Sequence, residues 1–210
     1  MANERGVPNM AAAGGVFACG TDKISDSYFD GNRAIGGQGV AGSSGIAITK
    51  NGGDARGGGI AVAFKGTEVS VSKCTVRHNS AIGGQAGAGG SGGNAWGGGV
   101  GTGHKEAMLT LTGSMIYSNQ ARGGSGDASG APSNGGDGLG GGVYNIAGSE
   151  MTVTASKITA NWATGGKGKH GGSDGQGIGG GLYHLGTFTV DPATVISKNH
   201  ASTSNDDVYP

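Results

Sequence analysis

Aromatic residues, cysteine, proline and net charge are all scarce in this chain. Four Phe, two Trp and five Tyr among 210 residues exclude a large aromatic core. The two cysteines, Cys19 and Cys74, exclude a disulfide framework, and no CxxC or Cys/His spacing suits a metal. No run of about 18 apolar residues exists, which excludes a transmembrane helix. Met1-Ala-Asn-Glu-Arg5 leads into no apolar stretch of useful length, so no signal peptide opens this chain. An intracellular chain and a fragment with its export signal removed both fit. Fourteen basic residues balance fourteen acidic ones, which removes the simplest electrostatic case for nucleic acid or an anionic membrane.

Glycine is abundant instead, at 51 of 210 residues, while Leu, Ile, Val and Phe together number 33. Such a composition borders on low complexity. Disorder usually carries high net charge as well, and the strict Gly-X-Y period of collagen is missing. A longer period is present. Asn32, Asn79, Asn119, Asn161 and Asn199 follow one another at spacings of 47, 40, 42 and 38. Glycine triplets begin at Gly57, Gly97, Gly140 and Gly179, 20 to 22 residues before their asparagines, and the first copy has only Gly14-Gly15. From asparagine to the next triplet the length varies between 18 and 25 residues. Constant length marks segments that superpose in successive copies; variable length marks excursions that need not.

The constant half alternates. Ile24, Val71, Leu111 and Val153 stand eight residues before their asparagines, and Val69, Leu109 and Met151 stand ten before. Ser27, Cys74, Ser114 and Ser156 stand five before, and Phe29, Val76, Ile116, Ile158 and Ile196 three before. Polar Ser70, Ser72, Thr110, Thr112, Thr152 and Thr154 lie between them. A period of two predicts strands with one buried face. Thr187 to Pro192 departs from the pattern and reads as a bulge or a terminal edge. Strands this short cannot fold alone, but copies stacked about 4.8 Å apart share backbone hydrogen bonds and one thin core. The expectation is all-β: a parallel β-solenoid of about five coils with Gly-rich excursions on one edge. A second complete coil within each insert is the alternative.

At these residues the chain resembles the polymorphic outer membrane protein repeats, whose paired motifs are GGA-[Ile/Leu/Val] and Phe-x-x-Asn. Phe29-Asp-Gly-Asn32 follows the second motif. Val76-Arg-His-Asn79, Ile116-Tyr-Ser-Asn119, Ile158-Thr-Ala-Asn161 and Ile196-Ser-Lys-Asn199 follow it with an aliphatic residue for Phe. Gly58-Gly59-Ile60, Gly98-Gly99-Val100, Gly141-Gly142-Val143 and Gly180-Gly181-Leu182 look like the first motif with Gly for Ala. The resemblance covers about residues 14 to 205. It implies a right-handed parallel β-helix of the pectin-lyase-like kind and a surface-exposed or secreted role. The expected organisation is one β-helix domain over 1–210. An N-terminal segment 1–13 precedes repeats near 14–56, 57–96, 97–139, 140–178 and 179–205.

Candidate chemistry is sparse. The column Asp54, Asn94, Asp137, Gln176 closes the inserts and reads as side-chain capping of a backbone turn rather than as calcium ligands, since half of it is uncharged. The five histidines have no ligand spacing, and Cys74 falls in a small-residue interior column. Asp22, Asp26 and Asp30 crowd the first copy only, so the paired carboxylates of a glycan-cleaving enzyme are not expected. No residue is assigned a catalytic, cofactor-binding or metal-binding role. The two patterned sets are a structural asparagine column, Asn32, Asn79, Asn119, Asn161 and Asn199, and an outward ladder, Ser70, Ser72, Thr110, Thr112, Thr152 and Thr154. The expected function is a structural or adhesive, non-catalytic rod segment of a cell-surface or secreted assembly. Ice binding through the hydroxyl ladder, and polysaccharide binding or processing on the helix face, are the alternatives. Expected partners are other copies or neighbouring domains stacked on the helix ends, with carbohydrate or ice as ligands, no nucleic acid and no membrane insertion. The ending Asp207-Val-Tyr-Pro210 carries no cap that the sequence reveals, which suits a fragment or an end that stacks on another copy.

Overall fold

The computed structural model describes residues 10–40 and 50–210. All regular structure among them is β: 26 short strands and no helix. Each repeat makes one coil of five strands. In the third coil these are Ala95–Trp96, Val100–Thr102, Met108–Thr112, Met115–Tyr117 and Gln120–Arg122. Strands in the same position of successive coils pair in parallel and build five sheets along the axis. They are numbered here in the order the chain visits them. The third sheet, Thr21–Ser25, Glu68–Ser72, Met108–Thr112, Glu150–Thr154 and Thr187–Val190, has the longest strands. A parallel pair needs a long connection back to the next strand, and here the rest of the coil supplies it.

Register places like on like. Val69, Leu109 and Met151 pair in one column, and Ile24, Val71, Leu111 and Val153 in the next. Both point inward with Val76, Ile116 and Ile158 of the fourth sheet and Ile60, Val100, Val143 and Leu182 of the second. Every one of these except Ile24 is buried. These columns meet in one continuous cluster along the axis, so 33 large aliphatic and phenylalanine residues are enough. Where the fifth sheet meets the first, the filling thins to alanine: Ala34, Ala81 and Ala121 face Ala55 and Ala95.

The asparagines occupy the inner corner between the fourth and fifth sheets. From Asn32 to Asn161, each backbone N–H and each side-chain amide donates to the Oδ1 of the asparagine one coil on. Asn79 N and Nδ2 donate to Asn119 Oδ1 at 3.0 Å each, and Asn119 N and Nδ2 to Asn161 Oδ1 at 2.9 and 3.0 Å. The second amide hydrogen goes back to a backbone carbonyl, as from Asn119 to Val76 at 2.9 Å. Asn79, Asn119 and Asn161 are fully buried, Asn199 nearly so, and Asn32, at the first coil, only partly. The residue before each asparagine, among them His78, Ser118, Ala160 and Lys198, has positive φ, which turns the chain sharply at that corner. The glycine triplet is the other half of this device. Gly97 has φ +66, a Cβ on Gly98 would overlap the backbone of Gln120 and Gly141, and one on Gly99 would press on the Asn119 amide at 3.1 Å. Triplet and asparagine recur together because the amide lies on the last glycine of its own coil.

At the C-terminal end residues 202–210 bond to the edge of the fifth coil, an arrangement the sequence did not reveal. The chain omits the excursion after Ala201 and begins a sixth turn. Val208–Tyr209 pairs with Leu182–His184. Asn205 takes the positive-φ place of the triplet's first glycine, at φ 58 against 64 for Gly179. Asp207 Oδ1 then accepts from Asn199 N and Nδ2 at 3.0 and 2.9 Å, and Asp206 Oδ1 from Ala201 N at 2.8 Å. The carboxylates stand where a sixth asparagine and a sixth strand of the fifth sheet would otherwise be.

An asparagine whose side chain makes four hydrogen bonds should matter far more than a half-buried neighbour on the outer face. Asn119→Ala leaves the N–H and amide of Asn79 and the carbonyl of Val76 without partners, at a cost of about 1–3 kcal/mol. Thr159→Ala, on the outer side of the fourth sheet, should cost under about 0.5 kcal/mol. Chemical denaturation of both variants checks this; equal midpoints would sink the corner as the stabilising element.

Candidate functional site

The hydroxyl ladder lies on the outward side of the third sheet. Lys23, Ser70, Thr110, Thr152 and Thr189 form one column and Ser25, Ser72, Thr112 and Thr154 a second. Because each repeat is one coil, adjacent rungs are a single strand spacing apart, about 4.8 Å. Thr154 and Thr112 hydroxyls are hydrogen-bonded at 3.1 Å. The face is interrupted on one side, where the neighbouring outward column reads Thr21, Glu68, Met108, Glu150, Thr187. A shallow depression of about 160 Å³ lies between Lys23, Glu68, Met108 and Thr110.

The inserts are the excursions, and they are ordered wherever the structure describes them. Those of the second, third and fourth repeats leave the fifth sheet, run out, fold back and enter the first sheet, and the described limbs of the first insert, 36–40 and 50–54, run the same way. The outgoing and returning limbs of successive coils interleave in one hydrogen-bonded file. Gly53 N donates to Gly37 O, Gly84 to Gly53, Gly93 to Gly84, Gly124 to Gly93, Gly136 to Gly124, Gly166 to Gly136 and Gly175 to Gly166, at 2.7 to 2.9 Å. Each coil therefore contributes two backbones to the file, which brings them too close for any side chain. A Cβ on Gly83, Gly92 or Gly123 would overlap a carbonyl of the adjoining limb. Residues on either side of these glycines bond along the axis to the same limb of the next coil, as Gly83 N does to Arg122 O and Gly92 N to Asn134 O, both at 2.9 Å. The result is a thin wing of glycine backbone standing off the solenoid edge.

Polar side chains complete the returning limb. Asp54 Oδ1 accepts from Asn94 N, Asn94 Oδ1 from Asp137 N and Asp137 Oδ1 from Gln176 N, at 2.7 to 2.8 Å. The column is thus a cap on backbone N–H groups. Burial raises the Asp54 pKa above the ordinary aspartate value, and the Asn94 N–H and Arg56 offset this only in part.

The outgoing limb has no such side-chain column. Between it and the fifth sheet runs a groove of about 510 Å³ along the axis, open to solvent. Arg33, Ile35, Ile82, Arg122 and Thr164 line the sheet side, and Gln38, Gln85, Ser125 and Lys167 line the wing side, with glycine backbone between. The lining holds three cations and no carboxylate. Lys167 Nζ makes an exposed ion pair with Asp174 at 2.7 Å. The backbone N–H groups of Gln85, Ser125 and Lys167, one per coil, donate to no acceptor among the described residues. Trp162 stands on the outward side of the fifth sheet, two residues before Thr164, and is half exposed.

Two further clusters escaped the sequence reading. On the outward side of the first and second sheets, Arg56 lies over the Trp96 ring at 4.6 Å. Tyr144, Tyr183 and Tyr209 continue the stack at centroid distances of 6.1, 5.6 and 4.4 Å. Gly101 and Gly103 leave the room that Arg56 fills. Burial lowers the Arg56 pKa, and its Nε is the one buried side-chain N or O among the described residues without a partner. A signal for this stack existed: a tyrosine follows Val143, Leu182 and Val208 at the same place in three coils. On the fourth sheet Asp30 Oδ1 bonds His78 at 2.9 Å, Asp30 Oδ2 accepts from Arg77 at 2.8 Å, and Arg77 donates to the Tyr117 hydroxyl at 3.0 Å. The contacts of His78 first and Arg77 second hold the Asp30 pKa below the ordinary value. Asp22 and Asp26 make no contact with this cluster among the hydrogen bonds and ion pairs described. No group of three or more His, Cys, Asp and Glu side chains gathers as a metal site among the described residues. Cys74 is buried and Cys19 exposed, both free.

Asp54 carries a desolvation cost that Asn94 and its own capping bond avoid. A raised folded pKa means that the group opposes folding when ionised, and that the penalty fades as pH falls through its titration. Asp54→Asn keeps the Oδ1 acceptor and should raise the melting temperature at pH 7. The gain should close as the pH is brought to about 4, where aspartates protonate. A pH-independent difference, or a lower melting temperature at pH 7, would refute the capping role.

No family model, no curated protein and no solved structure matches this chain.

Proposed function

We propose that the chain is a structural or adhesive, non-catalytic rod segment of a cell-surface or secreted assembly. The observation that carries this reading is the repetition of every coil in register, with five sheets running the length of the solenoid. Such a stack resists bending because each coil is bonded to its neighbours on all five sides, and its surfaces are long and regular. Among the described residues Asp30, Arg77, His78 and Tyr117 gather on the exposed fourth sheet and line neither of the two depressions. None of the helical elements that cross membranes is present among the described residues, and the surface location follows from the repeat resemblance alone.

A second reading, ice binding, draws on one specific observation: the hydroxyl columns of the third sheet are in register at single-coil spacing. Against it stand Glu68, Met108 and Glu150 in the adjoining column and Lys23 at one end of the ladder, since charged and bulky groups interrupt a flat water-ordering face.

Five coils about 4.8 Å apart span only about 24 Å along the axis, so the rod reading is tested by its cooperativity: urea unfolding of the purified chain should be one transition, and stepwise loss of coils would overturn the rod. Thermal hysteresis and ice shaping are expected to be absent. Strong shaping that Thr110→Tyr or Thr152→Tyr abolishes without unfolding would replace the rod by the ice-binding reading.

A further inference from the structure

We propose that Tyr183 and Tyr209 are a site of oxidative cross-linking, where a dityrosine bond fastens the sixth turn to the fifth coil. The inference goes beyond the rod reading and does not depend on it. It rests on the aromatic stack on the outward side of the second sheet, where three features single out this pair.

The first is proximity. Tyr183 and Tyr209 are register partners on neighbouring parallel strands. Their ring centroids are 4.4 Å apart and their planes 4° from parallel, the closest ring pair among the described residues. A ring separation this near the strand spacing means that the two side chains run parallel. Their hydroxyls, and the ring carbons next to the hydroxyls, therefore lie side by side. The second is freedom to react. Both rings are partly exposed, and Tyr209 is on the edge strand of its sheet, with a neighbour on one side only. It can tilt from a stacked to an edge-joined arrangement. Tyr144, next in the stack at 5.6 Å, is buried between Trp96 and Tyr183 and has no such freedom. The third is electrostatic. Trp96, Tyr144, Tyr183 and Tyr209 form a ladder with steps of 6.1, 5.6 and 4.4 Å, short enough for an electron to pass from ring to ring. The Arg56 guanidinium covers Trp96 at one end. A cation beside a ring opposes removal of an electron from it, so oxidation of the stack comes to rest at the tyrosine end.

The step needs a two-electron oxidant, and hydrogen peroxide acting through a peroxidase is the class that fits. Each phenol gives up one electron and its hydroxyl proton and becomes a phenoxyl radical. The two radicals join in one C–C bond between the carbons ortho to oxygen, and the proton on each of those carbons moves to its phenol oxygen. The pair loses two electrons and two protons in all; the peroxide takes up both and leaves as two waters.

Oxidation of the dilute, purified chain with hydrogen peroxide and a haem peroxidase tests the assignment. Dityrosine emission should appear in the monomer band of a denaturing gel. A peptide map should join the Tyr183 and Tyr209 peptides with the loss of two hydrogens. Tyr183→Phe and Tyr209→Phe keep a ring in the stack and should each abolish the monomer emission. Tyr28→Phe, at a tyrosine that is 77% exposed, should leave it unchanged and remove only cross-linked dimers. The cross-linked chain should unfold at a higher urea concentration than the untreated chain, because its unfolded state keeps a closed loop. Emission confined to dimers overturns the assignment. Monomer emission that survives Tyr209→Phe does the same, as does a map that joins Tyr144 or Tyr28 in place of this pair, or an unshifted urea midpoint.

Discussion

In-register parallel pairing is the constraint on which this structure depends. When one coil sits on the next at the spacing of a hydrogen-bonded strand, each side chain has its own homologue as its nearest axial neighbour. A position then persists only if it tolerates being stacked on itself. Valine, leucine and isoleucine do so in the interior columns, and threonine and serine do so outside. Asparagine does so because its amide is both donor and acceptor, and one orientation can repeat along the column without a reversal. Aspartate cannot propagate such a column, since a carboxylate only accepts. That is why Asp207 can stand at its end, taking both donors of Asn199 and passing none on.

Glycine content follows from the same geometry at its tightest. In the five sheets one backbone per coil is stacked at each position, and side chains have room above and below the sheet. In the wing two limbs per coil share one hydrogen-bonded file, and the crossing leaves no volume for a Cβ. The glycines there are neither linker nor disorder; they are the condition for the limbs to meet. Alanine at the base of the wing, in Ala55, Ala81, Ala95 and Ala121, grades the spacing from the full core to the bare backbone file. The groove is a by-product of that arrangement, because a wing thinner than the solenoid must leave a re-entrant corner where it joins.

The sequence carried the fold to an unusual depth because its pattern is self-checking. Apolar alternation, glycine triplet and asparagine each recur at one place in the coil, and every repetition tests the others. The corner asparagines, the inward columns and the outward hydroxyl rows could all be assigned from spacing alone. The excursions could be recognised as excursions, since Ala34-Ile-Gly-Gly-Gln38 and Ala81-Ile-Gly-Gly-Gln85 begin alike, but their interleaving could not. Which limb meets which depends on contacts between residues with no common spacing, such as Gly53 with Gly84 and Gly93 with Gly124. The cap was illegible for a related reason: Asn205-Asp-Asp207 bears no likeness to Gly179-Gly-Gly181 until the backbone lays one on the other.

From the sequence alone, then, came what repetition encodes: strand period, coil count, and the identity of the residues stacked in each column. The tertiary structure alone decided what lies between columns. It set Arg33, Arg122 and Lys167 along one groove, left the N–H groups of Gln85, Ser125 and Lys167 facing it unused, and laid Arg56 on Trp96. Those relations are lateral. They depend on how far the wing stands from the fifth sheet and on the angle at which the first sheet meets the second, and neither quantity has a period that a linear sequence can display.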